Sequence, residues 1–242
     1  MLNDTLPNNQ AAMTAISGRQ TLAVFLVGSL GIAIGYFGLP RLVSNGFVQL
    51  ESTLLHLIAD GLAYGGFLVA AWIFVVKPRD QGLKALGLKG CEVSFFVLAG
   101  FLAVLWIIVS SLLYSIMGVW EAALIYGAGE VAPYQKTYAL LVGLFLLAGP
   151  IAALTEEILF RGILYTWLRR HLNVTIAALL SAFLFTIAHP SVFVGGVAAI
   201  LDTSLLAILL ALLFEVSRSL WPGILAHALY NTLLLSHYLY QG

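Results

Sequence analysis

Ionisable side chains are what this sequence has least of: Asp, Glu, Lys and Arg together make up 9% of its 242 residues. A soluble domain of this length carries about a quarter, so a charged, water-facing surface is excluded. Acidic and basic residues balance at 11 each, and no basic run interleaves with aromatics, so nucleic acid is not an expected partner. Cysteine occurs once, at Cys91, which rules out an intrachain disulfide and any cysteine-based metal cluster. The chain has no glycine-rich phosphate loop after a strand, no His-Glu-x-x-His, and no Ser or Cys in a recognisable nucleophile setting. Internal repeats and low-complexity segments are also missing.

What the chain has in abundance is apolar sequence, 61% of residues with a mean hydropathy of +1.01. The reading is an all-α polytopic transmembrane helix bundle of about seven to eight spans enclosing an intramembrane polar cavity, built as one domain over 1–242. A polar tail at 1–20 precedes the first run, Thr21 to Leu39, whose 19 residues are about enough to cross a bilayer. It is longer than a usual signal core and no small-residue cleavage pattern follows it, so it is expected to be retained. Further runs are Leu54 to Val76, Val93 to Met117, Tyr138 to about Leu168, Val174 to Ala188, Val192 to Val216 and Leu220 to Leu239. The segment after Met117, with Glu121, Gly127, Gly129, Glu130 and Pro133, suits an interfacial loop or short helix. The run from Tyr138 is too long for the hydrocarbon layer, and Gly149-Pro150 marks an expected kink.

Loop charges set the orientation. With the N-terminus cytoplasmic, Arg19, Lys77, Arg79, Lys84, Lys89, Arg169, Arg170 and Arg218 lie inside, and only Arg41 and Lys136 lie outside. A compact chain with no targeting extension suits a bacterial inner membrane.

Against this background, the stretch Thr155 to Gly162 places Glu156, Glu157 and Arg161 inside an apolar helix, and ionisable groups there point to function. Glu157 and Arg161, at i and i+4, can pair, which leaves Glu156, about 100° away, free to face a cavity. A partly desolvated carboxylate beside a cation suits a general base. Counted from the loops, Glu156, His189 and Asn231 lie at comparable depth on three helices, with His227 one turn shallower. Taken singly, each His or Asn could be interhelical packing glue, and the Glu-Glu-Arg group a structural ion-pair lock. His56 and Asp60 read as a proton relay or, more simply, an interhelical contact; Asp202 reads as a break near the cavity mouth or a loop.

Three motifs in this order carry a family resemblance over roughly Pro150 to Leu235: Glu-Glu-x-x-x-Arg at Glu156, Glu157 and Arg161; Phe-x-x-x-His at Phe185 and His189; and His-x-x-x-Asn at His227 and Asn231. The chain resembles the intramembrane endopeptidases of the CAAX-protease and bacteriocin-processing group, to which the Ras-converting CAAX endopeptidases belong. The resemblance makes 138–240 the motif-bearing catalytic core. It implies that Glu156 and His189 hold and deprotonate a water, that His227 and Asn231 donate to the oxyanion, and that Glu157 and Arg161 orient Glu156. Phe185 is a supporting residue of its motif.

In this reading the enzyme needs no cofactor. The alternative is a zinc-dependent metalloprotease with Glu156, His189 and His227 as ligands, since two His and a carboxylate form a legitimate catalytic set. A non-catalytic transporter, scaffold or immunity protein is the rival from another class; a transporter would show repeated halves with matching broken helices. The expected partners are the lipid bilayer and a membrane-tethered peptide or protein: a prenylated CAAX tail, a bacteriocin-type precursor or a C-terminal sorting tail.

Overall fold

Backbone in hydrocarbon must satisfy its own hydrogen bonds, and the apolar runs do so by winding into helices. The computed structural model describes residues 16–47, 49–123 and 132–241, with no strand among them. In order these are α1 (Gly18–Ser44), α2 (Ser52–Val76), α3 (Val93–Ile116), α4 (Tyr138–Leu168), α5 (Val174–Ile187), α6 (Ser191–Ser217) and α7 (Leu220–Gln241). Polar residues start four of them. Ser17 closes a capping box with Gln20, and the side chains of Glu51, Thr137 and Asn173 accept from the first free amides of α2, α4 and α5.

All seven apolar runs are helical, and five of the helices are long and apolar enough to cross a membrane. The other two depart for different reasons. At 14 residues, α5 spans only about 21 Å, and α7 is long enough but is made more polar by residues such as His227, Asn231 and His237. The 124–131 part of the expected interfacial segment, with Gly127, Gly129 and Glu130, lies outside the described residues, as does 1–15 of the polar tail.

Lipid-facing side chains such as Leu26, Phe37, Val97, Phe101 and Phe193 remain exposed. Half of the apolar stretch of α6 is buried, against 22% in each of the other four spans, so α6 is the most enclosed of the five. Around it packs a core in which α4 contributes every residue from Ile158 to Tyr165, α5 contributes Ala177, Ala182 and Phe185, and α6 contributes Ala207, Ala211 and Phe214.

Helix α4 changes winding along its length. It widens to π-helical turns at Leu147–Ile151, around Pro150, and again at Ile158–Tyr165. Proline lacks an N–H and crowds the carbonyl one turn back, so a wider turn is the local solution where the sequence predicts a kink. Glycines draw α1 onto α2. A Cβ at Gly31 would lie 2.2 Å from the Leu62 carbonyl oxygen, and one at Gly66 would lie 2.9 Å from that of Gly28. Gly31→Ala must push backbone from backbone and is expected to destabilise the protein by ~1–3 kcal/mol, read as a lowered unfolding temperature in detergent.

One end of the bundle gathers the basic loops. Arg170 donates to the Ile16 carbonyl, Arg79 to Gln20, and Arg169 and Arg218 both to Glu215, while the Ser219 hydroxyl donates to the Lys89 carbonyl. Asp202 corrects its sequence reading. It lies within α6, buried, and the break in that helix is at Gly196, with φ 60°. A helical aspartate survives there because Trp106 and Tyr230 donate to it. Asp60 accepts from the Tyr36 hydroxyl, joining α2 to α1 as an interhelical contact.

Candidate active site

The site begins where α4 passes from α-helical to π-helical winding, immediately after Glu157. Arg161 reaches back one turn to Glu157, with its Nη1 2.9 Å from Oε1. Its second terminal nitrogen donates to the Ala207 carbonyl on α6 at 3.0 Å, and the guanidinium lies 4.6 Å from the centre of the Phe185 ring on α5. Both charged side chains are fully buried, 0% and 1% exposed, where an unpaired charge would be too costly to keep. A carboxylate, a carbonyl and a ring face together hold this cation in place.

Glu157 has a second partner, His227, whose Nδ1 lies 3.0 Å from the same Oε1. A carboxylate already accepting from Arg161 accepts here too, so His227 Nδ1 is the donor. The sequence reading has Glu157 orient Glu156; in the structure its contact is to His227. Close approach makes this possible, because a Cβ on Gly223 of α7 would lie 3.1 Å from Glu157 Oε2.

Glu156 points elsewhere. Its Oε2 lies 3.4 Å from His189 Nε2 and 3.6 Å from His227 Nε2. His189 donates through Nδ1 to the Phe185 carbonyl at 2.7 Å, since a carbonyl can only accept, and its ring stacks on Phe185 with centroids 4.3 Å apart. With both Nδ1 positions committed as donors, each imidazole turns its Nε2 toward Glu156 Oε2, offering a lone pair when neutral and a hydrogen when protonated. That oxygen is buried and makes no hydrogen bond to the described residues. Glu156, Glu157 and Arg161 sum to one negative charge, so one proton shared among Glu156, His189 and His227 balances the group. His189 and Glu156 keep 27% and 17% side-chain exposure, against 3% for His227, so the open edge of the site is on the His189 side.

The donor types suit zinc. Ligands about 2.0–2.1 Å from one ion stand ~3.3 Å from each other, near both Glu156–histidine separations. Even so, among the described residues no three His, Cys, Asp or Glu side chains are arranged to hold a metal ion.

Asn231 does not join this group directly. Its amide donates to the Ala148 carbonyl at 2.9 Å, about two turns before Glu156 on α4 and inside the wide turn around Pro150. The other amide hydrogen has no partner among the described residues. The contributions of the Ala207, Phe185 and Ala148 carbonyls have no sequence signal, because every residue carries that acceptor. Tyr64 on α2, within electrostatic reach of Glu156, is a further neighbour that the motif pattern does not single out.

Residues 137–233 match the family model described as type II CAAX prenyl endopeptidase Rce1-like. No curated protein matches the chain, and no solved structure does. The matched stretch contains every residue of the three motifs.

Proposed function

We infer, from the membership of residues 137–233 in the CAAX-protease and bacteriocin-processing family of intramembrane endopeptidases, that this integral membrane protein cleaves a peptide bond of a membrane-associated substrate with a water activated by Glu156 and His189. The observation that carries the reading is Glu156 Oε2, buried between two imidazole Nε2 atoms at 3.4 and 3.6 Å. Two imidazole Nε2 atoms and a carboxylate oxygen converge on one point, and with one proton shared among them the lone pairs left over suit a hydrogen-donating guest such as water.

In the proposed step the water oxygen bonds to the scissile carbonyl carbon while its proton passes to Glu156, with His189 holding the water in line. The oxyanion accepts from an Asn231 amide hydrogen and from His227 Nε2 when it carries the proton shared by the group, with the ring held by Glu157 through Nδ1. When the C–N bond breaks, Glu156 returns the proton to the leaving nitrogen. Arg161 holds Glu157, which in turn holds His227, so Arg161 acts through His227.

The first substrate to test is a prenylated CAAX peptide, the class named in the family description, with a bacteriocin-type precursor and a C-terminal sorting tail as parallel arms. Purified protein is expected to cleave one of the three, and failure on all of them would count against the reading. Asn231→Ala is expected to lower kcat about 10²- to 10³-fold with little change in KM, as for loss of one oxyanion donor. A KM effect alone would remove Asn231 from that role. The zinc alternative, with Glu156, His189 and His227 as ligands, is decided by metal analysis of active protein: one zinc per chain, lost with activity on chelation and restored together, replaces the glutamate mechanism. The gathering of basic loops at one end supports a cytoplasmic N-terminus.

A further inference from the structure

A second polar centre lies between α3, α6 and α7. Asp202, buried in α6, accepts from the Trp106 indole on one carboxylate oxygen and from the Tyr230 hydroxyl on the other, each at 3.0 Å. Ser110 also hydrogen-bonds to it. All three donors are neutral, and none of the ion pairs among the described residues includes Asp202. A carboxylate has room for about four hydrogen bonds, so one direction is left over.

Beside it is a cavity of about 50 Å³ lined by Ser110, Tyr114, Trp120, Asp202, Tyr230 and Tyr238. One water needs ~10–15 Å³, so the space is large enough for a small organic group in place of a few waters. Its chemistry narrows the choice. An anion is repelled by Asp202, an apolar group leaves the spare lone pair unmet, and a metal ion finds only one carboxylate. A carboxylate ringed by one indole and three phenols selects an organic cation, which meets charge at one end and aromatic faces around it. Trp120 follows the end of α3 and Tyr238 lies in the last turn of α7, where aromatic residues of spanning helices commonly meet lipid headgroups.

We propose that this cavity binds an alkylammonium group, carried either by an amine-headed lipid or by a soluble amine. The site shares no side chain with the Glu156 group, so it stands or fails independently of the peptidase reading. Tyr230 precedes Asn231 on α7, which places any occupant against the helix that carries His227 and Asn231.

The test uses full-length protein in detergent. Butylammonium chloride, titrated at constant ionic strength against sodium chloride, is expected to raise the unfolding temperature with concentration, as a ligand of the folded state does. In parallel, native mass spectrometry after exchange into mixed phosphatidylethanolamine and phosphatidylglycerol vesicles is expected to show selective retention of the amine lipid. Asp202→Asn should weaken either response about tenfold or more. Tyr238→Leu, which leaves the hydrogen bonds to Asp202 in place, should weaken it as well and serves if Asp202→Asn does not fold. A response to butylammonium alone assigns the site to a soluble amine, and retention of phosphatidylethanolamine alone assigns it to lipid. No response in either arm, or an undiminished response in a folded variant, overturns the proposal.

Discussion

Replacing Glu156 by Gln is expected to lower turnover by about 10³-fold or more, at the upper part of the range for loss of a general base, while the protein stays folded. The two halves of this expectation come from one geometry. The amide has nearly the shape of the carboxylate but cannot take a proton from water at neutral pH, so the proposed first step is lost. Stability moves the other way, because the new NH₂ group can donate to the lone pairs of His189 Nε2 and His227 Nε2, which face an acceptor at 3.4 and 3.6 Å in the native site. The measurements are cleavage of a tethered peptide and thermal unfolding in the same detergent. A folded variant retaining a tenth of wild-type activity would remove Glu156 from the role of base, and a variant that fails to fold would make Glu156 a structural residue first.

Arg161→Met is expected to be the most destabilising of the substitutions considered, at about 3–5 kcal/mol, the range for stripping one partner from a buried ion pair. Glu157 is fully buried and would be left with His227 as its one remaining side-chain partner. If the penalty is the stranded charge rather than lost packing, the double variant Glu157→Gln with Arg161→Met should recover much of it, because Gln still offers His227 Nδ1 an acceptor. Comparing the four proteins in a double-mutant cycle separates the two causes. A double variant no more stable than Arg161→Met would show that the guanidinium acts through its contacts to Ala207 and Phe185. Activity of the double variant should stay low, since Gln offers His227 Nδ1 a weaker, uncharged acceptor than a carboxylate does.

The class of the fold follows from runs of apolar residues, because a backbone segment that must satisfy its hydrogen bonds alone in lipid has the helix as its solution. Asp202 shows where that reasoning stops. A charge in an apolar run reads as an interruption, yet a helix tolerates it when donors arrive from elsewhere, and Trp106 and Tyr230 are 96 and 28 residues away. The length of α7 is legible in the same way, but its cost in polarity is explained only by what His227 and Asn231 touch.

For the site, local geometry carried the Glu157–Arg161 pair, because i and i+4 residues meet on any α-helix, and the spacing of the motifs carried the set of residues. Which residues of the set touch one another was decided by the tertiary structure. The approach of Gly223 to Glu157 puts His227 on that carboxylate rather than beside Asn231, and Asn231 is tied to Ala148 in the wide turn at Pro150. The stretch Thr155 to Gly162 thus determines by itself that a buried carboxylate pair and a cation share one helix. Which carboxylate keeps an open oxygen depends on the rotation and closeness of α5, α6 and α7, which are set by packing across many residues and not by any local pattern.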